Sequence, residues 1–365
     1  GRTTVFDGML RYNLGVRVAE TDQTIGTSTR ISDPRNSPTG GANDNGGRYG
    51  DALGWIYEST KYRNVLPSLT TAYNIKPDLI ARVAASKSMT RANPADLKQT
   101  RLTTDQSVRQ AQLTNPKLKP FEAMNLDLGL EYYLSREAYV AMGVFAKDIT
   151  NRPGKPRTIQ TLAQLDALYG DGTEIGLTAA QQAAVDASGG RDRHLVELET
   201  PINIDTKLKV RGVELTWQQP LDMLPVKGFG FTANFTYAKQ TDDDPAAAPI
   251  TGVPPRTSNL TVYYERNGLS ARVSRNYTAE HVSNNSTGLM VPGGAYSYTT
   301  ARSIVDASVG VNLKQMFGFR YDASLTLSAT NLTDSISQTY TQFSNAVFDQ
   351  NENGRSYTLS LRTTF

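Results

Sequence analysis

The sequence has no cysteine, only two histidines and only two tryptophans, and it contains no long apolar run and no long run of like charge. Without cysteine there is no disulfide framework, no thiolate metal site and no cysteine nucleophile. The two histidines, His194 and His281, fall in segments expected to be loops, and no motif sets a serine or a carboxylate beside either. No catalytic constellation follows, and the chain is not expected to be an enzyme. Lysine and arginine number 38 against 35 aspartates and glutamates, all scattered. A nucleic-acid binder would gather its basic residues into a patch, so no nucleic-acid partner is expected. The densest apolar run, residues 138–146, falls far short of the roughly 18 residues a membrane helix needs. The stretch Asp349-Gln-Asn-Glu-Asn-Gly354 begins like a calcium loop, but Ser360 stands where a bidentate glutamate is required. It reads as a polar hairpin loop, and Asp242-Asp-Asp244 as a solvated loop tip. No metal and no cofactor are expected.

What the sequence does contain is alternation. From Tyr357 to the end, Tyr357, Leu359, Leu361, Thr363 and Phe365 share one side, while Ser356, Thr358, Ser360, Arg362 and Thr364 share the other. A period of two puts these sets on opposite faces of one strand. The same pattern recurs in Leu10–Val18, in Val65–Tyr73, in Leu79–Ala85, in Met124–Tyr132 and in the stretch that runs to Ile149. It continues with Val213–Trp217, Phe229–Tyr237, Leu260–Tyr264, Leu269–Val273, Val305–Leu313 and Tyr321–Ala329. Asn267-Gly268 is a strong signal for a two-residue hairpin.

These segments predict about twelve strands, and their connections alternate in length. Short ones lie near 76–78, 135–137, 219–228, 267–268 and 314–320; long ones span 19–60, 91–120, 151–205, 241–255, 281–300 and 334–353. A soluble sandwich has no reason to sort its loops by parity, whereas an outer-membrane barrel keeps periplasmic turns short and extracellular loops long. The polar faces carry Arg11, Arg82, Glu131, Glu214, Asp306 and Arg362. Such residues are costly in a packed core and natural in a hydrated lumen. The fold class is therefore all-β: a transmembrane antiparallel β-barrel, with the six charged residues lining the lumen.

Several short motifs, in this order, span nearly the whole chain. They are Val65-Leu-Pro-Ser-Leu69, Ala84-Ala-Ser-Lys-Ser-Met-Thr-Arg91, Asn115-Pro-Lys-Leu-Lys-Pro120, Asn125-Leu-Asp-Leu-Gly-Leu-Glu-Tyr-Tyr133, Arg211-Gly-Val-Glu214, Asn331-Leu-Thr-Asp334 and the strand 354–365 that ends on an aromatic. The chain resembles the C-terminal part of the barrel of TonB-dependent outer-membrane receptors, especially the branch common in Xanthomonas- and Caulobacter-type bacteria. The resemblance implies a 22-stranded barrel filled by an N-terminal plug. The chain starts at Gly1 and reaches a strand by residue 8, so plug, TonB-engaging motif and first strands are expected to lie outside these 365 residues.

The implied function is uptake of a scarce nutrient across the bacterial outer membrane, driven by the TonB complex. The family branch points to a carbohydrate or similar small organic ligand; alternatives are a ferric-siderophore receptor and a stand-alone passive porin or translocator. Outer-membrane lipid, lipopolysaccharide and the protein's own plug are the other expected partners. The insertion 151–205 is the longest loop, with two helices expected near 159–169 and 178–187, and it gathers Arg152, Arg157, Tyr169, Arg191, Arg193 and His194. Loops of this length in a compact protein are usually functional or disordered. Tyr169, Arg191, Arg193 and His194 are therefore the first candidate ligand contacts, with Tyr277 and His281 next. Trp55 and Tyr57 are expected in the aromatic belt at the outer membrane interface.

Overall fold

The computed structural model describes residues 1–5, 8–31, 52–97, 103–168, 177–243, 250–286 and 295–364. Thirteen strands form one sheet: β1 (Arg2–Val5), β2 (Gly8–Ile31), β3 (Ala52–Lys76), β4 (Leu79–Thr90), β5 (Phe121–Tyr133), β6 (Tyr139–Thr150) and β7 (Leu208–Pro220), followed by β8 (Phe229–Asp242), β9 (Arg256–Arg266), β10 (Leu269–Thr278), β11 (Arg302–Asn312), β12 (Asp322–Thr330) and β13 (Ser356–Thr364). Each pairs antiparallel with the next in sequence. The count exceeds the expected twelve because β1, too short to show alternation, pairs with β2 over Arg2–Arg11. The wall is a partial barrel.

Register fixes the faces. One row of directly opposed residues runs Arg11–Ala72–Arg82–Gly129–Gly143–Glu214–Thr236 across β2 to β8. Cross-strand partners share a face and residues two apart on a strand share it too. Glu131 therefore stands on this polar face with Arg82. Another row on it runs Tyr133–Tyr139–Gln218–Thr232–Thr261–Ser274–Asp306, and Arg362 joins through Ser324 and Asn312. The opposite face carries Leu14 at 73% exposure, Leu126, Leu128, Leu325, Leu327 and Leu361 at 65%, with no protein over them. Leucines exposed in continuous rows are what a lipid-facing wall requires.

The turn ends are compact. Asn267 and Gly268 both have positive φ (51° and 81°), the backbone of the tight hairpin their sequence predicts. The loop ends hold the main departures from expectation. Residues 19–60 are not a long loop: β2 and β3 stay paired from Met9↔Asn74 to Ile31↔Ala52. Above the apolar band both faces of this hairpin are wet, so its strands are β-branched and polar, without greasy alternation.

The loops 91–120 and 151–205 fold together. Strands Arg157–Thr161, Leu195–Glu199, Gln110–Gln112 and Thr103–Thr104 make a small sheet. Helices Leu162–Leu168 and Ala179–Ala187 cover it, and Val108, Leu162, Leu165, Val185 and Val196 form its fully buried core. Thr178 caps the second helix through a capping box with Gln181. The first helix starts at Leu162 rather than near 159, because residues 157–161 are claimed by strand pairing with 195–199. Here Gln110–Gln112 and Leu195–Glu199 pair in parallel, an exception to the expected all-antiparallel arrangement that lies outside the wall. A second loop sheet joins His281–Ser286, Ala295–Thr299, Ser337–Thr341 and Val347–Asn351. Asp349 lies in its edge strand opposite Thr339, a hairpin position.

Candidate functional site

The end from which the long connections emerge carries both loop bodies, and most candidate ligand contacts lie there. His194 belongs to the first, but it is buried at 2% exposure. Its Nδ1 lies 2.6 Å from the Ser188 hydroxyl and its Nε2 lies 3.2 Å from the Val108 carbonyl. Both ring nitrogens are engaged, so His194 pins the helix 179–187 and the 103–112 segment together and presents nothing to a ligand. Arg191 is also corrected: its Nε and Nη2 donate to Asp166 at 2.7 and 2.8 Å in a fork. Arg152 holds Asp242 and Arg157 holds Glu199, each at 2.6 Å and largely buried. The arginines concentrated in this insertion thus neutralise local carboxylates. Arg193 is exposed beside Gly189. Tyr169 lies outside the described residues.

Tyr277 is corrected by register. It is opposed to Ser258 and Ser303 and shares its side of β10 with Leu269, Ala271 and Val273, the lipid-facing set. Arg275 stacks 5.8 Å from its ring on that same outer side. A residue there meets the membrane edge and not the lumen. His281 starts the second loop sheet, half-buried, with Nδ1 3.1 Å from the Ala279 carbonyl. In that sheet Tyr298 stacks on Tyr340 at 5.2 Å, and burial together with the Glu280 carboxylate raises the Tyr340 phenol above its usual pKa.

Trp55 and Tyr57 stack on each other, 63% and 66% exposed. They are not at the interface. On the outward face of β2 and β3 the apolar band ends at Val18 and Val65, and Glu20, Asp22, Lys61 and Arg63 follow. Lys61 pairs with Asp22 at 3.1 Å, so a charged layer separates the two aromatics from the lipid band.

On the polar face Arg82 donates to both oxygens of Glu131, at 2.6 and 3.0 Å, and the Tyr133 hydroxyl donates to Glu131 at 2.9 Å. Arg11 donates to Asn74, and Asp306 accepts the Asn331 backbone N–H at 2.9 Å. Two hollows, of about 390 and 440 Å³, are lined by residues 265–270 and by 135–137 with 219–223; both sit at the short-turn end. Among the described residues no cluster of three or more histidine, aspartate or glutamate side chains is placed to hold a metal ion.

A thirteen-stranded antiparallel sheet, greasy outside, polar within and with long loops at one end, defines part of an outer-membrane β-barrel. The chain belongs to the TonB-dependent receptor-like β-barrel family, whose model matches residues 3–332. Similar solved structures include a mutant of the ferric enterobactin receptor PfeA from Pseudomonas aeruginosa, at 16% identity and TM-score 0.57, covering 98% of this chain and 54% of that one. The siderophore receptor PirA from Acinetobacter baumannii matches at 16% identity and TM-score 0.56, over 86% of this chain and 43% of that one. The ferric-catecholate import receptor Fiu from E. coli K12 matches at 14% identity and TM-score 0.60, over 98% and 42%. At these identities the likeness is one of fold, and the chain spans about half the length of these receptors or less. No curated protein sequence matches.

Proposed function

We propose that this chain is the C-terminal part of the barrel of an outer-membrane active-transport receptor, closed by further strands, filled by an N-terminal plug and energised through TonB. The observation that carries this reading is the wall itself: a matched family barrel whose two edge strands, β1 and β13, each have one neighbour in the sheet. Unpaired strand edges are not tolerated in lipid, which supports completion by further strands of the same barrel. On this reading Arg11, Arg82, Glu131, Glu214, Asp306 and Arg362 line the lumen around the plug, and Arg193 and His281 remain as ligand contacts at the outer end.

The ligand reading shifts from carbohydrate toward a chelated ferric ion. Stacking and hydrogen bonding to a sugar leaned on His194 and Tyr277, which the structure commits elsewhere. The solved receptors most like this wall carry names that concern siderophores. The test is uptake by cells carrying the full-length receptor, with radioiron as a ferric catecholate or with a labelled neutral oligosaccharide, with and without TonB. TonB-dependent iron uptake is expected. Oligosaccharide uptake alone would overturn the ligand assignment, and uptake of either that persists without TonB would overturn active transport in favour of a passive pore.

A further inference from the structure

The outward face has two margins, and they differ in chemistry. At the short-turn end it is aromatic: Tyr132, Trp217, Phe229 and Tyr264 stand in neighbouring strands, with Trp217 against Phe231 at 5.0 Å and Phe229 against Tyr264 at 4.8 Å. At the loop end of β7 to β10 the same face is basic. By register Lys209, Arg211, Lys239, Arg256 and Arg275 all fall on it, just above Val213, Leu215, Phe235 and Leu260.

Two of these cations lack counter-ions. Arg211 binds Asp148 and Lys209 binds Asp243. Among the described residues Lys239 and Arg256 have no acidic partner, and both are exposed. Lys239 lies directly across the strand pair from Arg211, and Arg256 directly across from Tyr237 in the next row. Like charges set opposite each other disfavour the sheet unless an anion lies between them. Four strands at about 4.8 Å spacing make the patch roughly 15 Å wide, the scale of one lipid headgroup.

We propose that Lys239 and Arg256, with Arg211 beside them, form a binding site on the barrel's outer surface for the phosphates of an outer-leaflet glycolipid, lipopolysaccharide, whose acyl chains lie on the apolar band beneath. This rests on the outer-membrane reading above. Charge complementarity selects a phosphate-bearing headgroup, and the unbroken passage from cations to leucines and aromatics selects a lipid over a free anion. Confinement to the loop margin selects the outer leaflet.

The test uses the purified full-length receptor in neutral detergent and measures its affinity for bisphosphorylated lipid A, dephosphorylated lipid A, phosphatidylglycerol and inorganic phosphate. Withdrawing two basic side chains from a charged lipid surface lowers affinity about thirtyfold, so the double variant Lys239→Gln, Arg256→Gln is expected to bind lipid A that much more weakly. The outward-facing turn-end control Arg266→Gln is expected to match wild type, and dephosphorylated lipid A is expected to bind wild type weakly. Unchanged lipid A affinity in a folded double variant overturns the site. Equal affinity for phosphatidylglycerol or inorganic phosphate overturns the glycolipid assignment. If the double variant does not fold, wild-type affinity that ignores salt between about 50 and 500 mM overturns it as well. A wild-type receptor that fails to fractionate with the outer membrane overturns the underlying reading, not this site alone.

Discussion

Leu327 offers the sharpest check on which face meets lipid. It stands at mid-length in β12, between Val309 and Leu359, and is 52% exposed. It lies five residues above Asp322, where the strand leaves its turn. At about 3.3 Å per residue and a tilt of about 40°, that places it about 13 Å along the membrane normal, near the middle of a roughly 25 Å apolar band. Leu327→Arg is therefore expected to cost about 2–4 kcal/mol of folding stability in bilayers, a roughly 30- to 900-fold shift in the folding equilibrium. Glu131→Leu is the matched test of the other face. It removes the partner of Arg82 but sets no charge in lipid, so assembly should proceed while the plug becomes less firmly seated. The assay is reversible denaturant unfolding of the full-length receptor in lipid vesicles, read by tryptophan fluorescence and by gel mobility with and without heating. Equal losses in the two variants, or none for Leu327→Arg, would mean that the faces are assigned backwards.

The loop body of 103–112 and 157–199 should respond independently of the wall. His194→Phe strands the Ser188 hydroxyl and the Val108 carbonyl, so local stability should fall by about 1–3 kcal/mol, seen as faster amide exchange in 103–112 with unchanged barrel mobility. Thr178→Ala removes the capping box and should cost about 1 kcal/mol, read as increased protease cutting near 178–190. At Asp105 desolvation raises the carboxyl pKa, but hydrogen bonds from the Ser107 hydroxyl and from backbone N–H groups, Gln110 first, outweigh it and the net shift is downward. A depressed folded pKa gives stability that is present above the ordinary carboxylate range, near pH 4, and lost as pH falls through the lower folded value. Exchange at Val108 and Gln110 should therefore accelerate only in acid, and Asp105→Asn should abolish that dependence.

How much of this was legible in the sequence follows from where the solvent imposes a pattern. In the lipid band every second residue is forced to be apolar, so Leu126–Leu128–Leu130 and Leu359–Leu361 announce both strand and face. Arg82 and Glu131 were placed on the polar face by the same count of two. That count also assigns Tyr277 to the outer face with Leu269, Ala271 and Val273; choosing it for its ring chemistry ignored its parity. Above Val18 and Val65 water bathes both faces of the hairpin and the signal vanishes, which is why paired strands read as loop. The burial of His194 had no local signal, because it depends on Val108, 86 residues earlier, and on the parallel pairing of 110–112 with 195–199. Arg157 and Arg191 likewise looked available only because Glu199 and Asp166, their partners, are distant in sequence.

The two loop bodies constrain how a ligand can reach the lumen. The first ties loop 91–120 to insertion 151–205 through one apolar core, so these two loops cannot open separately without exposing Val108, Leu165 and Val196. It is also fastened to the wall from outside: the Pro116 carbonyl accepts the Thr60 hydroxyl of the β2–β3 hairpin, and Lys117 pairs with Glu58 at 3.1 Å. Arg152, at the insertion's root, holds Asp242 at the top of β8 in a buried pair, and breaking such a pair by itself leaves an uncompensated charge. The second body is independent, built from the loops after β10 and β12. Movement at the outer end therefore divides most readily between the two bodies, where Arg193 on one and His281 on the other are the remaining ligand contacts, rather than within either.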